Sequence, residues 1–246
     1  MSALNLTSFL RFVSTGIWPD LAGIALLTLV SGLGAAHGSD AQSGDVDLSR
    51  REIGAPPPKF LFWRTGYVDV GHWVVVNDPA TPDGAAIERS DTDRSVQTAL
   101  AVYTSLSALN ARIQTHFRLV DGSTLSAGVG LRIISPRDHY LVRASVEEQR
   151  VSLNQVVRGV SHEIAGVDAD IVRDYWQTLE VSAKDTGFTI FLDGQWILTA
   201  FDDGSLASGQ LGIWTERDDV TRFSQIEISS LKSDHERSDL QGRFGD

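Results

Sequence analysis

The chain has 246 residues, 42% hydrophobic and 22% charged, ordinary values for a globular protein with room for one large β domain or two small ones. A formal net charge of −11, from 32 acidic against 21 basic residues, argues against nucleic acid and other anionic polymers as partners, because phosphate binding needs clustered Lys and Arg. The absence of cysteine removes disulfides, thiolate metal sites, a cysteine nucleophile and lipid attachment to an N-terminal Cys.

At the N-terminus, residues 21–36 (LAGIALLTLVSGLGAA) are apolar and uncharged, and the segment before them has Arg11 as its only basic side chain. They run into HGSDAQ, where Ser39 and Ala41 offer a small-x-small cleavage pattern, so a signal peptide is expected over 1–41. The alternative is an uncleaved anchor from Ile17 to Ala36, since about 20 apolar residues span a bilayer. Pro19 and Asp20 shorten the clean run towards signal length and favour cleavage. Either way the domain is expected outside the cytoplasm, secreted or periplasmic, with membrane contact only through this segment. A cysteine-free exported chain suits a bacterial envelope.

The next stretch is polar and ends in GAPPPKF. Pro56, Pro57 and Pro58 cannot join a sheet interior, so 42–58 is expected to be a Pro-rich linker and the domain to occupy 59–231. Residues 232–246 mix charges with Gly and Ser without an apolar period and are expected to form a disordered tail. No repeat of solenoid or propeller length lies between them.

Within 59–231 the period is two almost everywhere. In ARIQTHFRLV, Ala111, Ile113, Thr115, Phe117 and Leu119 share one face, and Arg112, Gln114, His116 and Arg118 share the other, which is a half-buried strand. YLVRASV, TLEVSAK, GFTIFLDG and QWILTAF alternate in the same way, with Gly, Asp and Asn between them. Asp193-Gly194 between two apolar runs signals a two-residue hairpin turn. The spacing from Phe223 to Ile226 and Ile228 breaks the alternation by one and predicts a bulge near Ser224. Around a dozen short strands without a helix predict an all-β chain, a two-sheet β-sandwich first and a closed barrel second.

The order GVGLRIISPRDHYLVRASVEEQRVSLNQVVRG, YWQTLEVSAKDTGFTIFLDGQWILTAFDD, SGQLGIWTERDDVTRFSQIEI resembles the concanavalin A-like lectin/glucanase superfamily. It is most similar there to exported bacterial proteins with the 3-keto-disaccharide hydrolase (DUF1080) domain, also described as family 16 glycoside hydrolase-like. The likeness runs from about Phe60 to Leu231, and its most specific parts are Tyr140 ahead of Val142-Arg143, the FLDG hairpin and GQLGIWT. It implies a jelly roll with one concave sheet and a ligand drawn from carbohydrates.

The chemistry is less sharply marked. The E-x-D-x-x-E pattern that places two carboxylates on one strand face of family 16 glucanases is absent. Glu147 and Glu148 are adjacent and point to opposite faces, and Asp168 and Asp170 share a face in an expected loop. A 3-keto sugar can lose its aglycone after deprotonation beside the carbonyl, so one base and one cation suffice, and His139, His116 and Glu147 are the candidate catalytic groups, with Arg143 as the cation. His139 falls in an expected hairpin turn after Pro136. Against this stands ordinary surface exposure for each.

For binding, Arg132 and Arg143 lie on neighbouring expected strands and can reach one face, where guanidinium forks suit sugar hydroxyls; pairing with Glu147, Glu148 or Glu180 is the structural alternative. Tyr140, Trp73 and Trp214 are the aromatic candidates for stacking on a sugar, although most tryptophans are expected in the core. The acidic pairs Asp202-Asp203 and Asp218-Asp219 leave calcium open, but no EF-hand spacing or histidine cluster requires a metal. The reading is therefore an exported carbohydrate-binding or interaction module without catalysis. A keto-glycoside hydrolase or lyase and a structural envelope domain are the alternatives.

Overall fold

The computed structural model describes residues 43–65, 73–89, 98–204 and 207–232. The expected signal segment and the expected tail from 233 onwards lie outside the described residues. The strands, in chain order, are β1 (Ser43–Asp45), β2 (Phe60–Thr65), β3 (Trp73–Asn77), β4 (Ala85–Arg89), β5 (Thr98–Ala108), β6 (Ala111–Asp121), β7 (Ser126–Ser135) and β8 (Asp138–Ser145). They continue as β9 (Arg150–Val157), β10 (Val160–Asp168), β11 (Gln177–Lys184), β12 (Gly187–Leu192), β13 (Gln195–Phe201), β14 (Gly209–Glu216) and β15 (Val220–Ser230). No helix occurs among the described residues.

The larger sheet has eight strands, ordered β13-β12-β11-β6-β15-β4-β3 with β1 paired to β15; the smaller has seven, ordered β10-β9-β8-β7-β14-β5-β2. Every pairing is antiparallel, and none joins the two sheets among the described residues, so the chain is a jelly-roll β-sandwich and not a closed barrel. The inward halves of the alternating strands meet as one core. Trp73, Phe117, Leu179, Phe188 and Phe223 come from the larger sheet, and Val129, Val142, Leu153 and Ile213 from the smaller. Each such side chain contributes about 1.5–3 kcal/mol by leaving water.

Local sequence sets the joints. Asp193 and Gly194 have φ of 50° and 75°, the left-handed pair that a two-residue turn between Leu192 and Gln195 demands. The Asp193 carboxylate then accepts from the Thr178 N–H at 2.7 Å and from Gln177 Nε2 at 3.0 Å, locking the turn to the start of β11. The bulge expected near Ser224 lies between Ser224 and Glu227, with Gln225 at φ 47°, and it lets Phe223, Ile226 and Ile228 all enter the core.

The domain starts before Lys59, which corrects the linker expected over 42–58. β1 pairs with Glu227–Ser229 of β15, Val46 and Leu48 are buried in the core, and Gly54 and Ala55 exchange backbone hydrogen bonds with Val75. Two apolar residues are too few to mark a strand in sequence, and their partner lies at the far end of the chain. Likewise Asp168 closes strand β10 instead of sitting in a loop, and pairs with Arg150.

A candidate ligand cavity on the outer face of the smaller sheet

The side chains of β8, β9, β14 and β5 that point away from the core meet in register. Arg143 stands opposite Gly128 and Ser152, Gly128 opposite Trp214, and Trp214 opposite Leu100. One step along, Leu141 stands between Gly130 and Asn154. Leu100, Val102, Ile133, Leu141 and Trp214 form a second apolar cluster on this side of the sheet. Against it lies a cavity of about 470 Å³, lined by His139, Leu141, Arg143, Glu148, Asn154, Ser161, Trp214 and Glu216. That volume is in the range of small-molecule sites, and the lining combines an apolar floor with a few polar groups.

Arg143 is the centre of its charge. Its Nη1 donates to Glu148 Oε1 at 2.8 Å, and its Nη2 lies 3.2 Å from Glu216 Oε2. Burial pushes the guanidinium pKa down, but the hydrogen bond to Glu148 and the nearby Glu216 charge more than offset this, and the net shift is upwards. The Glu216 contact is an ion pair without hydrogen-bond alignment, so Glu216 Oε2 remains a buried acceptor with no hydrogen-bond partner, as Arg143 Nε remains a buried donor. His139 adds a third such atom, Nδ1. The Arg143 charge 3.2 Å away compensates Glu216 Oε2, but a buried polar atom with no such partner costs about 1–3 kcal/mol, so Arg143 Nε and His139 Nδ1 in one cavity wall need a cause.

His139 is 7% exposed and sits on β8, one residue beyond the two-residue Pro136-Arg137 turn, not in the turn. Burial lowers its pKa from 6.5 to about 4, against the opposing pull of the Ser135 carbonyl and Asp138. Its imidazole is therefore neutral at pH 7.

Arg132 and Tyr140 meet His139 on the lining of a neighbouring cavity, and the remaining sequence candidates disperse. Arg132 does not share a face with Arg143: the ladder is interrupted between Leu131 and Ser135, Arg132 takes φ 49°, and its guanidinium donates to the Leu109 and Asp185 carbonyls at 3.0 and 2.5 Å. It lies over the rings of Tyr140 and Phe188, beside a separate cavity of about 320 Å³. Tyr140 belongs to the core side, where its hydroxyl donates to Asp202 Oδ2 at 2.6 Å, and burial first, then Asp202, raises its pKa to about 12. Trp73 is buried between the sheets, so it offers no platform. Trp214 does line the outer-face cavity, at 3% exposure. His116 is on the outer face of the larger sheet, paired with Thr178 and Ser224, so the two histidines face away from each other across the sandwich. Glu147 is exposed in the β8–β9 turn, and it is Glu148 that folds back onto Arg143.

Glu216, Asn154 and Ser161 carry no motif. Their one sequence signal is parity: Gly212, Trp214 and Glu216 alternate on β14, as Ser152, Asn154 and Val156 do on β9. The acidic loop pairs are occupied otherwise. Asp219 accepts from the Thr124 and Ser126 N–H groups and the Thr124 hydroxyl, and Asp202 accepts from Tyr140 and the Gly204 N–H. Among the described residues no group of three or more His, Asp or Glu side chains is placed to hold a metal ion.

The sheet order defines a two-sheet jelly-roll β-sandwich. Neither a family model nor a curated protein matches the chain. Among solved structures it is similar to the carbohydrate binding module CBM66 from Bacillus subtilis, at TM-score 0.54 and 20% identity over 68% of this chain and 97% of that one. The cellulose induced protein Cip1 aligns at TM-score 0.55 and 13% identity over 77% and 97% of the two chains. The Bacillus licheniformis β-glucanase aligns at 0.52 and 10% over 77% and 98%. At these identities the likeness is one of fold.

Proposed function

We propose that this protein is an exported, non-catalytic carbohydrate-binding module whose ligand site is the outer-face cavity around Arg143. The observation that carries the reading is the convergence there of three unbonded buried polar atoms, Arg143 Nε, Glu216 Oε2 and His139 Nδ1, beside Asn154, Ser161 and the apolar Trp214–Leu141 floor. Sugar hydroxyls both donate and accept, and sugar C–H faces suit an apolar floor. The nearest charges balance, Arg143 against Glu148 and Glu216 with Arg217 also on the lining, which favours a neutral saccharide over an anionic one. Both carboxylates of the lining pair with the one guanidinium of Arg143. The fold similarity to a carbohydrate binding module agrees with this reading.

One observation favours a second reading, keto-glycoside cleavage: a neutral His139 beside Arg143 pairs a base with a cation. A pKa of about 4 is poorly matched to base catalysis at neutral pH, so binding comes first.

The test is a thermal-shift screen of a glycan panel on the full chain and on Arg143→Ala. The expected result is a neutral saccharide that raises the melting temperature of the wild type and not that of the variant, each compared with its own unliganded protein. A panel that stabilises neither protein removes the reading.

A further inference from the structure

We propose a second binding surface, on the outer face of the larger sheet at its β12–β13 edge, that takes the flat ring faces of an extended, neutral glycan. It is separate from the Arg143 cavity, on the opposite sheet. Three rows build it. Phe191 pairs with Trp196, Thr189 with Thr199, and Gly187 with Phe201.

A bulge at Ile197 sets the pattern. The register shifts between Ile190 and Phe191, so Ile197 and Leu198 both pack towards the core while Trp196 and Thr199, three positions apart, both remain outside. The Trp196 indole N–H donates to Thr199 Oγ1 at 2.9 Å, which fixes the ring although 63% of the residue is exposed. Phe201 is 72% exposed, and its ring lies against Gly187, where a Cβ would come within 3.3 Å of Phe201 Cε1. Both rings are thus held in place and open to solvent.

The chemistry of the surface selects its occupant. Edge strands are ordinarily protected by charge, yet GFTIFL and QWILTAF contain no charged residue. Two aromatic platforms lie four ladder positions apart, about 13 Å along the strand direction, with a pair of threonine hydroxyls between them. Ring, hydroxyl, ring along a straight line fits an extended glycan with equatorial linkages, which presents C–H faces to the rings and hydroxyls to the threonines. On β11 the three rows continue into Glu180, Ser182 and Lys184, one anion and one cation, so the surface carries no net charge to favour an anionic glycan.

The test is native gel electrophoresis of the full chain with hydroxyethyl cellulose in the matrix. The expected result is a wild type retarded by the polymer and retardation lost in Trp196→Ala and in Phe201→Ala. Both aromatic positions are exposed, so unchanged melting temperatures are expected for their variants, and Trp196→Tyr, which keeps a stacking ring, is expected to retain retardation. A wild type that runs freely, or retardation lost only in Arg143→Ala, overturns the proposal; the latter leaves all binding with the cavity. A wild-type dimer that Trp196→Ala converts to monomer also overturns it, because the face is then a contact between copies of the chain.

Discussion

The outer faces of the two sheets treat their arginines differently. On the larger sheet, Arg222 bonds Glu88 at 2.6 Å and Asp78 at 2.9 Å, Arg118 bonds the same Asp78 oxygen at 2.9 Å, and Arg112 bonds Glu180 at 2.7 Å and Gln114 at 2.6 Å. This is a lattice of charges shared between neighbouring strands, in which Arg118 Nε lacks a hydrogen bond and lies 3.8 Å from Asp174 Oδ1. On the smaller sheet, Arg143 has two carboxylates but still leaves its own Nε and one carboxylate oxygen without hydrogen bonds, next to an open cavity. The difference teaches that setting decides the role: Arg118 Nε is left unbonded inside a lattice of carboxylates, whereas Arg143 carries its unbonded Nε on the lining of a cavity, where a ligand can complete it.

Breaking the lattice gives the largest effect. Asp78 has a side chain 3% exposed and holds two guanidinium groups, so Asp78→Ala leaves two partly buried cations without their shared anion. A loss of about 3–5 kcal/mol is expected in urea unfolding, with glycan binding per folded molecule unchanged. Arg143→Ala sharpens the contrast from the other side. A loss of about 1–3 kcal/mol in urea unfolding, because Glu148 and Glu216 lose their cation, and a loss of about a hundredfold in saccharide affinity by calorimetry are expected. Equal unfolding losses for the two variants erase the distinction between the sheets.

The same contrast marks how far the sequence could be read. The alternation of β6, the Asp193-Gly194 turn and the bulge after Ser224 depend on neighbours within a few residues, and each is legible there. Neighbouring strands allow Arg132 and Arg143 to reach one face, and the interruption after Leu131 moves Arg132 to the other cavity. Glu216 joins Arg143 only because β14 pairs with β7, a partnership between strands far apart in the chain. Glu148 rather than Glu147 reaches Arg143 through the conformation of a four-residue turn in which Gln149 takes φ 47°, a detail that alternation does not encode.

Acid tests the cavity through His139. The folded pKa of about 4 lies below the ordinary 6.5, so the unfolded chain binds the extra proton first. Its neutral form is compatible with the fold above pH 6.5, and stability is lost as pH falls from there towards 4, reaching about 3 kcal/mol. His139→Leu is expected to flatten that part of the unfolding-free-energy profile, which urea titrations at pH 7, 5.5 and 4.5 will read. A profile as steep as the wild type's assigns the acid sensitivity elsewhere.

The smallest effect belongs to the exposed rim of the lattice. Glu227 is 52% exposed on its side chain and lies 3.6 Å from Arg112, which keeps Glu180 as its close partner. Solvent screens such a pair, so Glu227→Gln is expected to cost less than about 0.5 kcal/mol and to leave the melting temperature within about 2 °C of the wild type. Glu180→Gln removes the Arg112 partner that makes two hydrogen bonds, at 2.7 and 2.9 Å, and is expected to cost more. If the two substitutions cost the same, the close hydrogen-bonded pair adds nothing over the distant one, and the lattice is not what holds the strands of the larger sheet together.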